Sequence, residues 1–196
     1  MNGWETEYGT HDARTDADLP WPEQAPEVAP LMHLHVLASG SKGNAAVVEG
    51  PDGSVLIDDG LSRRELMRRA DELGVDMDRV GCVIVTHEHS DHVSGLSVFC
   101  NKYGGRLMAT AGTAGGRKYL ATHDVADPFG LRFDCASENG IDSLGFCTDT
   151  GTLGKRAMEL LSGVRILALE SNHDKRMLET GPYPAMLKSR VGGDHG

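Results

Sequence analysis

Four strong metal-binding side chains fall within six residues of Thr86-His87-Glu88-His89-Ser90-Asp91-His92, directly after the apolar run Cys82-Val83-Ile84-Val85. His87 and His89 are two apart, so in an extended backbone both rings point to one side and can pinch a single ion. Asp91 and His92 follow where the chain begins to turn into a helix, which aims them toward a second ion. Imidazole and carboxylate without thiolate suit zinc first, with manganese or iron as substitutes. The chemistry expected is hydrolysis by a water activated between two divalent metal ions. A histidine-rich surface loop is the competing reading, and the spacing after an apolar strand disfavours it.

Such a loop needs a scaffold, and the flanking sequence supplies one. Strands are expected over residues 33–38, 45–49 and 54–57, joined by Ser39-Gly40-Ser41-Lys42-Gly43-Asn44 and by Pro51-Asp52-Gly53. The small residues and backbone N–H groups of the first turn suit either a phosphate or a plain hairpin. Ser62-Arg63-Arg64-Glu65 reads as a capping box opening a helix that Gly74 stops. The arginines of that helix are more economically a solvated face than a phosphate contact. Residues 82–85 form the strand that delivers the metal loop, residues 93–102 a helix, and residues 106–111 a further strand. Beyond it lie a strand over 129–134, a turn at Ser137-Glu138-Asn139-Gly140 and a strand over 143–147. A helix over 152–161, with Ala157, Leu160 and Leu161 inward, a buried strand over 164–169 and a last helix over 183–191 complete the reading.

H-x-H-x-D-H after a hydrophobic strand resembles the signature of the metallo-β-lactamase superfamily. Val36-Leu37-Ala38-Ser39-Gly40-Ser41-Lys42-Gly43-Asn44, Leu56-Ile57-Asp58, Thr148-Asp149-Thr150-Gly151 and Glu170-Ser171-Asn172-His173-Asp174 resemble its WalJ (YycJ) branch, whose members look like metal-dependent nucleases. The resemblance implies an α/β fold, the metallo-β-lactamase-like four-layer αββα sandwich. It implies that His123, in Thr122-His123-Asp124, joins His87 and His89 on one ion, that Asp91 and His92 hold the other, and that Asp149 bridges them. It implies that Asp58 orients a ligand histidine from behind, the role physics assigns to a carboxylate accepting an imidazole N–H. Asp59 beside it is expected to be a bystander. Asp91 is expected to steer the attacking water, and His173 to contact phosphate or donate a proton. Relatives carry more chain before the third histidine and a closing histidine motif near residue 195, so the fold is expected to be incomplete at both places, with His195 as a substitute ligand.

Residues 1–30 combine proline with seven carboxylates against Arg14 alone and read as a disordered tail, leaving residues 31–196 as one catalytic domain. The tail carries −6 of the net −10, so the domain holds −4, which two divalent ions would neutralise. Nucleic acid, DNA first, therefore stays open as substrate. Lys42, Lys175, Arg176, Lys188 and Arg190 lie near the motifs and are the expected phosphate contacts. No apolar run spans a membrane, no signal peptide is visible, and Cys82, Cys100, Cys135 and Cys147 lack metal or disulfide spacing. A cytoplasmic enzyme is expected. An exonuclease-like phosphodiesterase leads the functional readings. An ester, lactone or thioester hydrolase and a shortened, catalytically weak binding domain are the alternatives.

Overall fold

The computed structural model describes residues 30–103, 106–109, 130–148, 153, 155–169, 175–182, 184–186 and 188. The expected tail, and the strand and helix boundaries that fall between these segments, lie outside the described residues. Strands β1 (His33–Ala38), β2 (Ala45–Gly50), β3 (Gly53–Ile57), β4 (Val80–Ile84) and β5 (Arg106–Met108) form one sheet in that order. The β1, β2 and β3 pairings are antiparallel, whereas β4 lies parallel to both β3 and β5. Parallel neighbours need a crossover, and helix α1 (Arg63–Glu72) provides it between β3 and β4. A second sheet holds β6 (Leu131–Ser137), β7 (Gly140–Cys147) and β8 (Ile166–Leu169), antiparallel and then parallel.

Two apolar clusters show how these sheets stack. Val47, Leu56, Val83 and Val85 project from one face of the first sheet onto Leu66 and Ala70 of α1 and Phe99 of α3 (Leu96–Tyr103). The alternate residues Ala46, Val48 and Ile57 project from its other face onto Leu144 and Phe146 of the second sheet. Helix α4 (Lys155–Leu161) lies on the far side of β7, where a Cβ on Gly145 would come 2.8 Å from the Leu161 side chain. The order is helix, sheet, sheet, helix. Central β3 and β4 read as continuous apolar runs because both of their faces are covered.

Local differences from the sequence reading have local causes. Ser62 does cap α1, accepting from the Glu65 N–H, but the Glu65 carboxylate turns to Arg68 and Arg69 instead of closing the reciprocal bond. The single helix expected over 93–102 is two, α2 (Ser90–Val93) and α3, broken at Ser94 and Gly95. Gly95 donates its N–H to the Asp59 carbonyl, and a Cβ there would lie 2.1 Å from the Leu61 carbonyl oxygen. The strand after Gly140 is longer than expected. In α4 Leu161 is buried, but Leu160 is 54% exposed, and in β8 only alternate residues are half-buried.

Candidate metal centre

Strand direction decides where the site sits. β1, β3 and β4 all run the same way, and β7 and β8 are parallel to each other. Their carboxyl ends open onto one cleft of about 440 Å³, lined by Ala38 and Ser39 after β1, Asp58 after β3, Asp91 from α2, Thr148 after β7 and Leu169 of β8. Crevices at the carboxyl ends of parallel strands are where open α/β sheets bind ligands.

Asp58 is the buried centre of the arrangement, 2% exposed, with a left-handed φ of 57° that aspartate tolerates better than branched residues. Its Oδ1 accepts from the Thr86 N–H at 2.8 Å, and its Oδ2 accepts from the Thr86 hydroxyl at 2.7 Å and from His92 Nδ1 at 2.8 Å. The consequences are chemical. With Nδ1–H committed to Asp58, His92 carries its lone pair on Nε2. Thr86 spends its single hydroxyl proton on Asp58, so Thr86 Oγ1 accepts from His87 Nδ1 at 3.1 Å, and His87 likewise presents a lone pair on Nε2.

The His87 lone pair faces a second imidazole. His87 Nε2 lies 3.1 Å from His89 Nδ1, the separation of two ligands about 2.0–2.1 Å from one zinc ion. The His87 and His92 ring centroids are 3.8 Å apart, and His92 Nε2 is 3.7 Å from Asp91 Oδ2. The donor set of imidazole nitrogens and carboxylate oxygens fits divalent metal ions. Among the described residues no three His, Cys, Asp or Glu side chains form a complete ligand cluster. His123 and Asp149, expected to complete the two sets, lie outside the described residues, as do His173 and His195.

The structure thus brings His87, His89, Asp91, His92 and Asp58 together. Lys42 sits exposed on turn 39–44 and Arg176 exposed on helix α5 (Lys175–Thr180), while Lys188 Nζ donates to the Glu179 carbonyl. The Lys175 side chain and Arg190 lie outside the described residues.

Three contributors were not singled out from sequence. Thr86 sets two ring tautomers, although it stands at the head of the motif itself. Asn44 donates from Nδ2 to Asp91 Oδ2 at 3.1 Å and to His92 Nε2 at 3.0 Å, and its backbone N–H donates to the Asp91 carbonyl at 2.7 Å. Asp59, expected to be a bystander, is fully buried with neither carboxylate oxygen in a hydrogen bond. Burial pushes its carboxyl up to about 6, an effect the nearby Leu61 N–H only partly offsets without reaching hydrogen-bond geometry. Its backbone braces α2, since Asp59 N–H donates to the His92 carbonyl at 2.8 Å.

The chain belongs to the metallo-β-lactamase superfamily, whose family model matches residues 38–172. It is 30% identical over 194 residues to exodeoxyribonuclease YycJ of Bacillus anthracis, covering 84% of this chain and 72% of that protein. It is 29% identical over 188 residues to exodeoxyribonuclease WalJ of Streptococcus pneumoniae serotype 2 (strain D39 / NCTC 7466), covering 82% and 70% respectively. These relatives set the chain in the WalJ/YycJ branch. The αββα architecture is shared with metallo-β-lactamase SMB-1 at 10% identity and a TM-score of 0.51, covering 85% of each chain. It is shared equally with Rm3 metallo-β-lactamase at 15% identity and a TM-score of 0.51, covering 85% of this chain and 83% of that one. The chain is thus a member of a superfamily of metal-dependent hydrolases whose members bind divalent metals, typically zinc. No helix among the described residues is long and apolar enough to cross a membrane.

Proposed function

We propose that this protein hydrolyses phosphodiester bonds of nucleic acid, DNA first, with two divalent ions, zinc foremost, held by His87, His89 and His123 on one side, by Asp91 and His92 on the other, and by Asp149 between them. The observation that carries the reading is the Asp58–Thr86 network. It fixes the tautomers of His87 and His92 so that each ring carries its lone pair on Nε2, and an ion at His92 would take the place of the Asn44 Nδ2 donor that lies 3.0 Å from it. The names of the WalJ and YycJ relatives supply the substrate class.

Bound divalent ions would supply Lewis acidity and a water acidified to a pKa of about 7. This chain's residues do the rest. Asp91, at the mouth of the cleft, accepts a hydrogen bond from that water and orients it in line with phosphorus. Asn44 holds the Asp91 carboxylate in place from the other side. His173 donates a proton to the leaving oxygen. Residues 31–196 act as one domain in this reading, in the cytoplasm.

Asp91→Ala tests it. Zinc-loaded wild type should shorten an end-labelled single-stranded oligonucleotide. The variant should lose at least about 100-fold in rate at unchanged circular dichroism, the range typical for loss of a general acid–base group. Wild-type cleavage by the variant would end the proposal. Substrate binding should also weaken steeply with added salt, because only a polyanion releases many counterions, whereas an ester or lactone would not show this.

A further inference from the structure

Turn 39–44 forms one wall of the cleft. Its fold is fixed from within and from behind. Gly43 N–H closes the turn on the Gly40 carbonyl at 3.0 Å, and the Asn44 side-chain oxygen accepts from Gly40 N–H at 2.8 Å. Gly43 must be glycine, since a Cβ there would lie 2.6 Å from the Gly60 carbonyl oxygen, at a φ of 149°. Through Asn44 the turn is bonded to both Asp91 and His92. It is therefore registered against the reacting centre.

What the turn presents to the cleft is a set of donors. Ser39, Gly40, Ser41 and Lys42 are exposed, and a Cβ on Gly40 would meet nothing within 4 Å. The hydroxyls of Ser39 and Ser41 and the N–H groups of Ser41 and Lys42 have no hydrogen-bond partner among the described residues. No carboxylate lies on the turn, and Lys42 adds a positive charge. Ser39 and Ser41 line the cleft and Lys42 stands beside them on the turn; hydroxyls and consecutive backbone N–H groups at a concavity are the chemistry that recognises a tetrahedral oxyanion. Besides Asp58, Asp91 and Thr148, the rest of the lining is apolar and includes Val36 (51% exposed), Leu169 (46% exposed), Phe146 and Ala168. Polar donors and apolar side chains in one cleft match the phosphate and the sugar and base of a nucleotide.

We propose that turn 39–44 is the phosphate subsite of this cleft, holding the phosphate of a nucleotide whose sugar and base lie against Val36 and Leu169. The assignment rests on the phosphodiesterase reading and adds to it the residues that grip the substrate backbone. Asp58 and Asp91 line the same cleft. Their charge opposes an anion until divalent ions offset it, so binding requires the loaded protein.

The test uses the full chain loaded with zinc and thymidine 5′-monophosphate as probe, titrated by calorimetry, with thymidine as the phosphate-free control. Two variants are compared, Ser39→Ala/Ser41→Ala and the charge-introducing Ser41→Asp, with zinc content measured in each. The double variant should weaken nucleotide binding at least about tenfold, two neutral hydrogen bonds being lost. Ser41→Asp should abolish it, at unchanged zinc content. In the oligonucleotide assay the double variant should raise KM by a similar factor and leave kcat within about threefold of wild type. Wild-type affinity and KM in both variants would overturn the subsite while leaving phosphodiester hydrolysis standing, as would a zinc-loaded wild type that cleaves DNA without binding the nucleotide. If the nucleotide binds through the turn but the loaded wild type cleaves no oligonucleotide, the subsite is supported and the phosphodiesterase reading falls.

Discussion

Asp58→Asn isolates the chemistry of the buried network without deleting its shape. Asparagine tolerates the left-handed φ of 57° and fills the same volume, so backbone strain is not introduced. Every hydrogen bond at this carboxylate is donated to it: two by Thr86 and one by His92. An amide has one oxygen and one NH₂, so one of the two Asp58 positions must become a donor facing donors. Placing NH₂ at Oδ1 sets it against the buried Thr86 N–H, a loss of about 1–3 kcal/mol with no local remedy. Placing it at Oδ2 is cheaper, because the Thr86 hydroxyl can rotate and His92 can shift its proton from Nδ1 to Nε2. That shift removes the lone pair His92 offers an ion. Loss of such a supporting partner weakens metal binding by about 10–100-fold, or roughly 1.4–2.7 kcal/mol. The assay is zinc competition against a chromophoric chelator, with elemental analysis for stoichiometry and imidazole ¹⁵N shifts for the tautomer. The expected outcome is one weakened zinc site and a protonated Nε2 on His92 at unchanged circular dichroism. Wild-type zinc affinity at both sites would refute the tautomer argument.

Two further outcomes concern stability. Asp142 is buried and accepts from Arg165 Nε at 2.6 Å, Arg165 Nη2 at 2.7 Å, Leu31 N–H at 2.8 Å and Met32 N–H at 2.9 Å, which ties the chain before β1 to the second sheet. Asp142→Ala leaves two N–H groups without their acceptor and frees a half-exposed guanidinium that still donates to the Met32 carbonyl, and should cost about 1–3 kcal/mol, read as the shift of a urea-unfolding midpoint. The Arg165 guanidinium holds this carboxyl well below the usual range, so its contribution is present above about pH 4 and is lost as pH falls toward its native value; an acid-unfolding midpoint unchanged in Asp142→Ala would refute this. Asp59 has the opposite sign: burial raises its folded value to about 6, so stability is greater below about pH 4 and falls as pH rises to 6, by up to about 3 kcal/mol. Asp59→Ala should flatten that part of the pH profile and unfold at higher urea at pH 7, at matched zinc content; a variant no more stable than wild type would refute it.

The apolar runs of β3 and β4 and the seven-residue metal motif were legible because their information is local: periodicity and spacing lie within a few residues. The relation between them was not. Nothing in the sequence says which of His87, His89 and His92 receives Asp58, and the answer depends on α2 starting at Ser90, which turns the His92 ring back beneath the loop while His87 reaches Thr86. The break at Gly95 was missed for the same reason. Helical periodicity runs through it, and what interrupts the helix is the 58–61 segment, distant in sequence, which needs room for the Leu61 and Asp59 carbonyls. The burial of Asp59 was not legible because a polar residue at a strand end is ordinarily solvated, and here the layer formed by α2 and α3 covers it.

Asn44 shows the physical limit of local reading most directly. Turn chemistry accounts for an asparagine after Gly43, and that account is correct as far as Gly40. Its second set of bonds, to Asp91 and His92, exists because Gly60 lets three segments meet without a side chain between them: a Cβ on Gly60 would lie 1.6 Å from the Asp91 carbonyl oxygen and 2.7 Å from the Asn44 nitrogen. Gly60 N–H donates to the Asn44 carbonyl at 2.9 Å, and Ser94 Oγ donates to the Gly60 carbonyl at 2.8 Å. One glycine after a strand thus sets the distance between the turn that faces substrate and the loop that faces metal. In the sequence it reads only as Asp58-Asp59-Gly60, a strand end followed by a turn.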